Sequence, residues 1–415
     1  MTRVEVYLDV AGVSGQTGVP VLVGHAFFTR SRAGVTTTFA YDPTYLNAGG
    51  PNIDPNLTLG SSPQYFPGLL GAFGDTAPDR WGRNLLDKAE RLQAAEEKRA
   101  PRQLDDLDYL LGVSDNTRQG ALRFKVPGGE FVGRASAVPP MVSLPHLLHL
   151  ADQVSGDEDP GLAVKALLDT GTTGLGGARP KASVTLGDGA LAIAKFPHAS
   201  DQWDVLAWEG VALSMLRAAG VGVPEFEVAK VGPRNVLIVR RFDRERDGTR
   251  VPYISAMTAL GMRDGEHADY LDLADSVRDL SGSPAHDLGE LFDRVVLSVL
   301  LGNTDDHLRN HGFLWREGGW SLAPAFDVNP NPHPGARRST SIMGADTFPE
   351  EMDALIGFAE ACDVPPADAR VRISELRLLV AGWEQYARRA GLTGKDVSVM
   401  EESLAQRTAP RPFGA

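Results

Sequence analysis

Leu291-Phe292-Asp293-Arg294-Val295-Val296-Leu297-Ser298-Val299-Leu300-Leu301-Gly302-Asn303-Thr304-Asp305-Asp306-His307-Leu308-Arg309-Asn310-His311-Gly312-Phe313 is the stretch on which the fold turns. Leu291, Val295, Val296, Val299 and Leu300 recur at helical steps and predict a strongly apolar helix. That helix runs directly into a polar loop, so a rigid element presents acids, amides and histidines. Downstream, Trp320 to Val328 reads as a short strand ending at Asp327, which lies 17 positions beyond Asn310. Upstream, residues 171–243 carry a Gly-rich loop and strands at Ala182–Leu186 and Ala190–Lys195. A helix over about Asp204–Ala219 and strands around Val228 and Val236–Val239 follow. Gly187-Asp188-Gly189 between the first two strands is a hairpin signal. After Arg250 the chain reads as mainly helical. A strand-rich unit followed by a helical one predicts an α+β fold with a cleft between the two.

The N-terminal part adds a further small α+β unit. Val4–Leu8 alternates as a strand does, Gly12, Gly15 and Gly18 mark turns, and Val21–Phe28 and Gly34–Ala40 read as further strands. A loop without clean period covers Asn47–Pro67. From Asp79 onward Trp81, Leu85, Leu86, Ala89 and Leu92 predict an amphipathic helix. Residues 128–143 form a weak boundary, and helices are expected at Leu144–Val154 and Leu162–Leu168. The 415 residues exceed one ordinary core, so two or three units are expected. Lys and Arg number 41 against 54 Asp and Glu, a net charge of −13. That balance argues against direct, non-specific nucleic-acid binding. The single cysteine, Cys362, excludes a disulfide scaffold and a Cys-rich zinc site. The start is not a signal peptide and no run is long enough to span a bilayer, so a soluble, cytoplasmic protein is expected.

Four features carry possible chemistry. Phosphoryl transfer needs a carboxylate that orients and deprotonates a hydroxyl, and a nearby amide oxygen that holds Mg²⁺. Asp305 and Asn310 have that spacing, the Asp-x-x-x-x-Asn of protein-kinase catalytic loops. Asp and Asn also favour capped turns, which is the bland alternative. Asp327 could hold the metal from a second side, although it lacks the glycine that follows the kinase acid. Gly171-Thr172-Thr173-Gly174-Leu175-Gly176-Gly177-Ala178-Arg179-Pro180-Lys181 could bring backbone N–H groups to phosphates. It is not a Walker A loop, and a flexible hairpin has the same composition. Lys195 ends an apolar strand beneath that loop, where a nucleotide's phosphates would sit; a solvent-facing lysine is the competing reading. Glu209 falls on the apolar stripe of the next helix, where a carboxylate needs a partner such as Lys195. Placement near the helix N-terminus, favoured by the dipole, is the alternative. Finally, Val236–Val239 leads into Arg240-Arg241-Phe242-Asp243-Arg244, either a hinge between lobes or a sheet edge with surface ion pairs.

In order, Gly176-Gly177-Ala178-Arg179-Pro180-Lys181, Ala194-Lys195-Phe196-Pro197, Arg241-Phe242-Asp243-Arg244, Gly302 to Asn310 and Leu322 to Val328 resemble the HipA family. Phe73-Gly74-Asp75-Thr76-Ala77-Pro78-Asp79-Arg80-Trp81-Gly82-Arg83 is similar to that family's N-terminal domain. These are bacterial serine/threonine protein kinases acting as toxins of toxin–antitoxin modules. The resemblance implies an ATP- and Mg²⁺-dependent kinase with a bilobal protein-kinase-like fold behind a small α+β domain. It divides the chain into residues 1–130, 131–243 (strand-rich N-lobe), 244–407 (helical C-lobe) and a frayed tail at 408–415.

It also implies roles for residues. Asp305 would be the catalytic base, and Asn310 and Asp327 the metal ligands. Gly176, Gly177, Ala178 and Lys181 would form the phosphate loop, with Lys195 and His307 close to the phosphates. The backbones of Arg240 and Phe242 would face the adenine, with Asp243 near the ribose. The family's autophosphorylated serine falls at about Gly174, where only Thr172 and Thr173 offer adjacent hydroxyls. Implied partners are a HipB-like helix-turn-helix antitoxin, DNA only through it, and a protein substrate such as an aminoacyl-tRNA synthetase. Two alternatives share the motifs: a non-catalytic module that sequesters the antitoxin and co-represses its operon, and a small-molecule phosphotransferase.

Overall fold

A computed structural model describes residues 1–10, 19–32, 34–133, 138–156, 161–172 and 178–410. The chain divides into two compact units. One comprises Met1–Ala199, Val231–Pro233 and Ile238–Ile254; the other comprises Ser200–Lys230, Arg234–Leu237 and Ser255–Ala415.

The first unit is built on an antiparallel sheet of β1 (Thr2–Leu8), β2 (Val21–Ser31), β3 (Gly34–Tyr41), β4 (Gln64–Pro67) and β5 (Leu122–Lys125), ordered β4-β3-β2-β1-β5. Strict alternation places Val4, Val6 and Leu8 on the buried face and Arg3 and Glu5 on the other. Phe73 packs edge-on against Phe39 and Phe124, with ring centroids 5.9 and 5.2 Å apart. The Phe73–Arg83 stretch is therefore core first, then helix, since Arg80–Glu96 begins directly after Asp79. Trp81 on that helix is buried and donates its indole N–H to the carbonyl of Lys181 at 3.1 Å. The aperiodic loop expected over 47–67 is shorter than read, because Gln64–Pro67 pairs with β3. A short helix, Asp106–Gly112, has no apolar period long enough to be read, and a capping box at Asp105 and Asp108 starts it. The turns expected at Gly12, Gly15 and Gly18 lie outside the described residues.

Strands β6 (Lys181–Thr185) and β7 (Leu191–Lys195) form the hairpin expected around Asp188-Gly189. Gly189 takes φ +86°, the left-handed conformation that glycine reaches without steric cost. With β8 (Phe226–Val231) and β9 (Arg234–Arg240) these strands make a sheet ordered β6-β7-β9-β8, and β9 contributes residues to both units.

The second unit is mainly helical. Helix Pro284–Leu301 is buried from Leu291 onward except at Asp293, and helices Tyr270–Leu280 and Pro366–Ala381 pack on it. Trp208, on helix Val205–Ala218, stacks at a tilt on Trp383 and donates to the carbonyl of Asp396 at 2.8 Å. The strand expected to reach Asp327 stops at Leu322. Beyond it Pro324 has no N–H to give a ladder, and Asp327 takes φ +59°, outside the extended region. No described helix is long and apolar enough to cross a membrane.

Candidate active site

Helix Pro284–Leu301 ends on Gly302, whose φ of +69° turns the chain out of the helix. The next residues are fixed by their backbone: Asn303 N–H donates to the Ser298 carbonyl at 2.9 Å, and Asn331 N–H donates to the Gly302 carbonyl at 3.1 Å. A Cβ at Gly302 would come within 3.0 Å of Arg407 Nε and 3.3 Å of the Asn331 carbonyl, so glycine is required by space as well as by angle.

Asp305 and Asp306 are neighbours with opposite environments. Asp305 is open to solvent on one side. Partial desolvation raises its pKa; His307 pulls it down, and the charges of Asp327 and Asp306 push it further up. Asp305 and Asp327, distant in sequence, thus come close enough to feel each other's charge. Asn310 joins them: its Nδ2 donates to the Asp305 carbonyl at 3.0 Å, leaving its amide oxygen as an acceptor. Asn329 ties Asp327 back to the loop: its Nδ2 donates to the Asp327 carbonyl at 3.2 Å, and its N–H donates to Asn303 Oδ1 at 3.2 Å.

Asp306 is buried among partners that the sequence did not announce. His311 Nε2 pairs with its Oδ1 at 3.0 Å, Ser298 Oγ donates to Oδ2 at 2.9 Å, and the Tyr270 hydroxyl donates to the same oxygen. Burial alone would raise the pKa of Asp306; His311, Arg338 and Tyr270 outweigh it and hold the carboxyl far below the usual range. Arg338 bonds Ser298 Oγ at 3.1 Å and Glu351 at 2.7 Å, and Arg407 carries the chain on to Glu351 and the Val299 carbonyl. A cavity of about 20 Å³ behind the loop, lined mainly by apolar surface but touched by Asp306, His311, Asn303 and Asn310, has the volume of one water. The only sequence signal for this network was a second acid and a second histidine inside the motif.

The first unit holds the other predicted residues. Lys181 and Lys195 are cross-strand partners in register, and both are buried, at 4% and 8% exposure. The solvent-facing reading of Lys195 is therefore not what the fold shows. Two ammonium groups directly opposite on one sheet face repel each other. Ala178 is exposed, while Gly176, Gly177 and Thr173 lie outside the described residues. Thr172 is fully buried and its hydroxyl lies 2.6 Å from that of Thr170, so a kinase reaches it only after local opening. Glu209 is buried on helix Val205–Ala218 in the second unit, with no acid in that helix's first turn, so the dipole reading fails.

The Arg240–Arg244 segment also departs from the surface-pair reading. Arg240 does pair with the exposed Asp188. Phe242 is half-buried, its ring 6.2 Å from that of Tyr253. Asp243 is 3% exposed and accepts from Arg241 Nε at 2.8 Å, Arg244 Nη1 at 3.0 Å and Gly120 N–H at 2.7 Å. Burial works to raise its pKa, but the guanidinium groups of Arg241 and Arg244 win and hold it well below the ordinary value. Its carboxylate is committed to protein donors.

Among the described residues no three His, Cys, Asp or Glu side chains converge as a metal cage. Asp305, Asn310 and Asp327 offer oxygen donors only, and two of them are mutually repelling carboxylates. That set fits Mg²⁺, which takes one or two carboxylates and keeps waters or phosphate oxygens for the rest.

The HipA-like C-terminal domain matches residues 173–383, just over half of the chain. "Putative kinase Y4mE" of Sinorhizobium fredii is 25% identical over 57% of this chain and 56% of its own length. A "Putative kinase" of Haemophilus influenzae is 26% identical over 32% of this chain and 44% of its own length. The matched stretches thus span about half the length of these curated relatives. A solved complex of HipA and HipB from Shewanella oneidensis MR-1 with its operator DNA aligns at TM-score 0.67 and 14% identity, covering 98% of this chain and 96% of that one. This likeness carries the fold across nearly all of the described structure, and the family match adds the lineage. The chain belongs to the family of the HipA-like C-terminal domain.

Proposed function

We propose that the chain is an ATP- and Mg²⁺-dependent serine/threonine protein kinase, the toxin of a toxin–antitoxin module. The observation that carries the reading is the gathering of Asp305, Asn310 and Asp327 at the end of one buried helix. Asp305 orients the acceptor hydroxyl and takes its proton; its raised pKa strengthens it as a base. Asn310 and Asp327 would hold Mg²⁺, which when bound neutralises charge on the transferred phosphoryl group. Lys181 and Lys195, side by side across the β6–β7 hairpin, are assigned to the phosphates. Gly176, Gly177, Ala178 and Lys181 are assigned to the phosphate loop, and the backbones of Arg240 and Phe242 to the adenine contacts. Asp243 is better assigned to fixing the Arg241–Arg244 segment than to the ribose, because its oxygens are already taken. We assign residues 1–130, 131–243 and 244–407 to an N-terminal domain and two kinase lobes.

The HipB and operator DNA in the Shewanella complex support a helix-turn-helix antitoxin as partner, with DNA reached through it in the cytoplasm. A cytosolic protein such as an aminoacyl-tRNA synthetase is the proposed acceptor. The test is transfer from labelled ATP to lysate proteins, comparing the native chain with Asp305→Asn and Asp327→Asn. Loss of a positioned base lowers transfer by about 10²–10⁴-fold. Equal labelling by all three proteins would sink the kinase reading. Calorimetry addresses the sequestering alternative, which predicts antitoxin binding without affinity for Mg·ATP.

A further inference from the structure

From Thr304 to Asn310 burial alternates. Thr304, Asp306, Leu308 and Asn310 are buried, while Asp305 is exposed and His307 and Arg309 are half-buried. The backbone of the loop is clamped peptide by peptide. Ser339 N–H donates to the Thr304 carbonyl at 2.8 Å, Asn310 Nδ2 to the Asp305 carbonyl at 3.0 Å and Thr340 Oγ1 to the Asp306 carbonyl at 2.7 Å. The Asp306 carboxylate then ties the loop to three further elements. Ser298 Oγ, in the last turn of helix Pro284–Leu301, donates to its Oδ2 at 2.9 Å. The hydroxyl of Tyr270, which opens helix Tyr270–Leu280, donates to the same oxygen. His311 Nε2, just ahead of the strand Gly312–Arg316, lies 3.0 Å from Oδ1. Arg338 Nη1 backs this set, donating to the Ser298 hydroxyl at 3.1 Å and to the Tyr270 hydroxyl at 3.3 Å.

Stability alone does not ask for this anion, because apolar groups of similar volume often replace buried ion pairs without loss. Its place in the chain does: one peptide bond separates Asp306 from Asp305, the proposed base. We propose that Asp306 is a positioning residue for phosphoryl transfer, fixing the peptide from which Asp305 projects towards the acceptor hydroxyl. The inference rests on the kinase reading and deepens it. Asp306 is buried, so it acts through Asp305 and not on the substrate. An asparagine has the same shape but exchanges one acceptor oxygen for an N–H₂ donor. That donor would be set against the Ser298 and Tyr270 hydroxyls or against His311, and the loop must shift to relieve the clash of donors. A displacement of about 1 Å at a reacting group costs about 10²-fold in rate, whereas nucleotide binding by residues elsewhere is left as it was.

The full native chain, Asp306→Asn and Tyr270→Phe are titrated with Mg·ATP by calorimetry, then assayed at saturating labelled ATP for transfer to a fixed cell lysate. Tyr270→Phe removes one hydroxyl and keeps the ring that packs 6.0 Å from Phe358, so it decides the matter where Asp306→Asn does not fold. Both variants are expected to bind Mg·ATP with the native stoichiometry and Kd. Turnover per bound nucleotide is expected to fall about 10²-fold in Asp306→Asn, and about tenfold in Tyr270→Phe, the worth of one hydrogen bond to a charged group. Native turnover in the folded variants overturns the proposal and leaves the kinase reading standing. Turnover and binding stoichiometry falling in step mean that Asp306 serves folding alone, which also overturns it. Absence of transfer by the native chain overturns both.

Discussion

Asp305 and Asp306 share a residue type and a loop, and almost nothing else. The spacing to Asn310 picked out Asp305, and local sequence had no means of giving Asp306 its role. Its partners Tyr270, Ser298, Arg338 and Glu351 come from helices and loops far along the chain, so only the fold assembles them. Asp243 carries the same lesson: an Arg-Phe-Asp-Arg string reads as a surface cluster until Gly120 and burial are added. It also yields a pH prediction. Its folded pKa lies below the unfolded value of about 3.9, so its contribution is complete above that value and fades as pH falls through the folded pKa. Asp243→Asn leaves Arg241 and Arg244 buried without their anion, at a cost of roughly 3–5 kcal/mol near neutrality. Urea unfolding at pH 7 and again below pH 3 should show a large gap between variant and native chain that narrows in acid. A gap independent of pH would contradict the charge argument.

Among elements, helix Pro284–Leu301 was legible because its apolar residues repeat at helical steps and are buried accordingly. The strand running to Asp327 was not, since an apolar run of that length does not reveal a proline-broken ladder or a left-handed aspartate. The helix offers a paired test on two glycines. Gly289 lies inside it with open space around a would-be Cβ, so Gly289→Ala should stabilise the protein by about 0.5–1 kcal/mol. Gly302→Ala meets a positive φ and two close neighbours, and should destabilise by about 1 kcal/mol or more. Thermal midpoints of the two variants should move in opposite directions. Midpoints moving together would mean that Gly302 is not conformationally required.

At the scale of the whole molecule, length and composition foresaw more than one unit, and the Asp-Gly hairpin and apolar helix located the pieces that matter. The exact division did not follow, because the chain passes between units more than once and composition is blind to such returns. Two compact units predict that calorimetric unfolding resolves into two transitions, with Mg·ATP raising at least one of them. One transition whose van't Hoff and calorimetric enthalpies agree would count against independent units. Arg407 gives the molecule a further property. It belongs to the last turn of helix Lys395–Thr408, beyond the residues matched by the family, yet its guanidinium braces Glu351 and the Val299 carbonyl beneath the Asp305 loop. A truncation that removes this residue would strand a buried carboxylate and unseat the loop, so in a genetic screen for loss of the proposed growth arrest such truncations should be recovered alongside lesions at Asp305 itself.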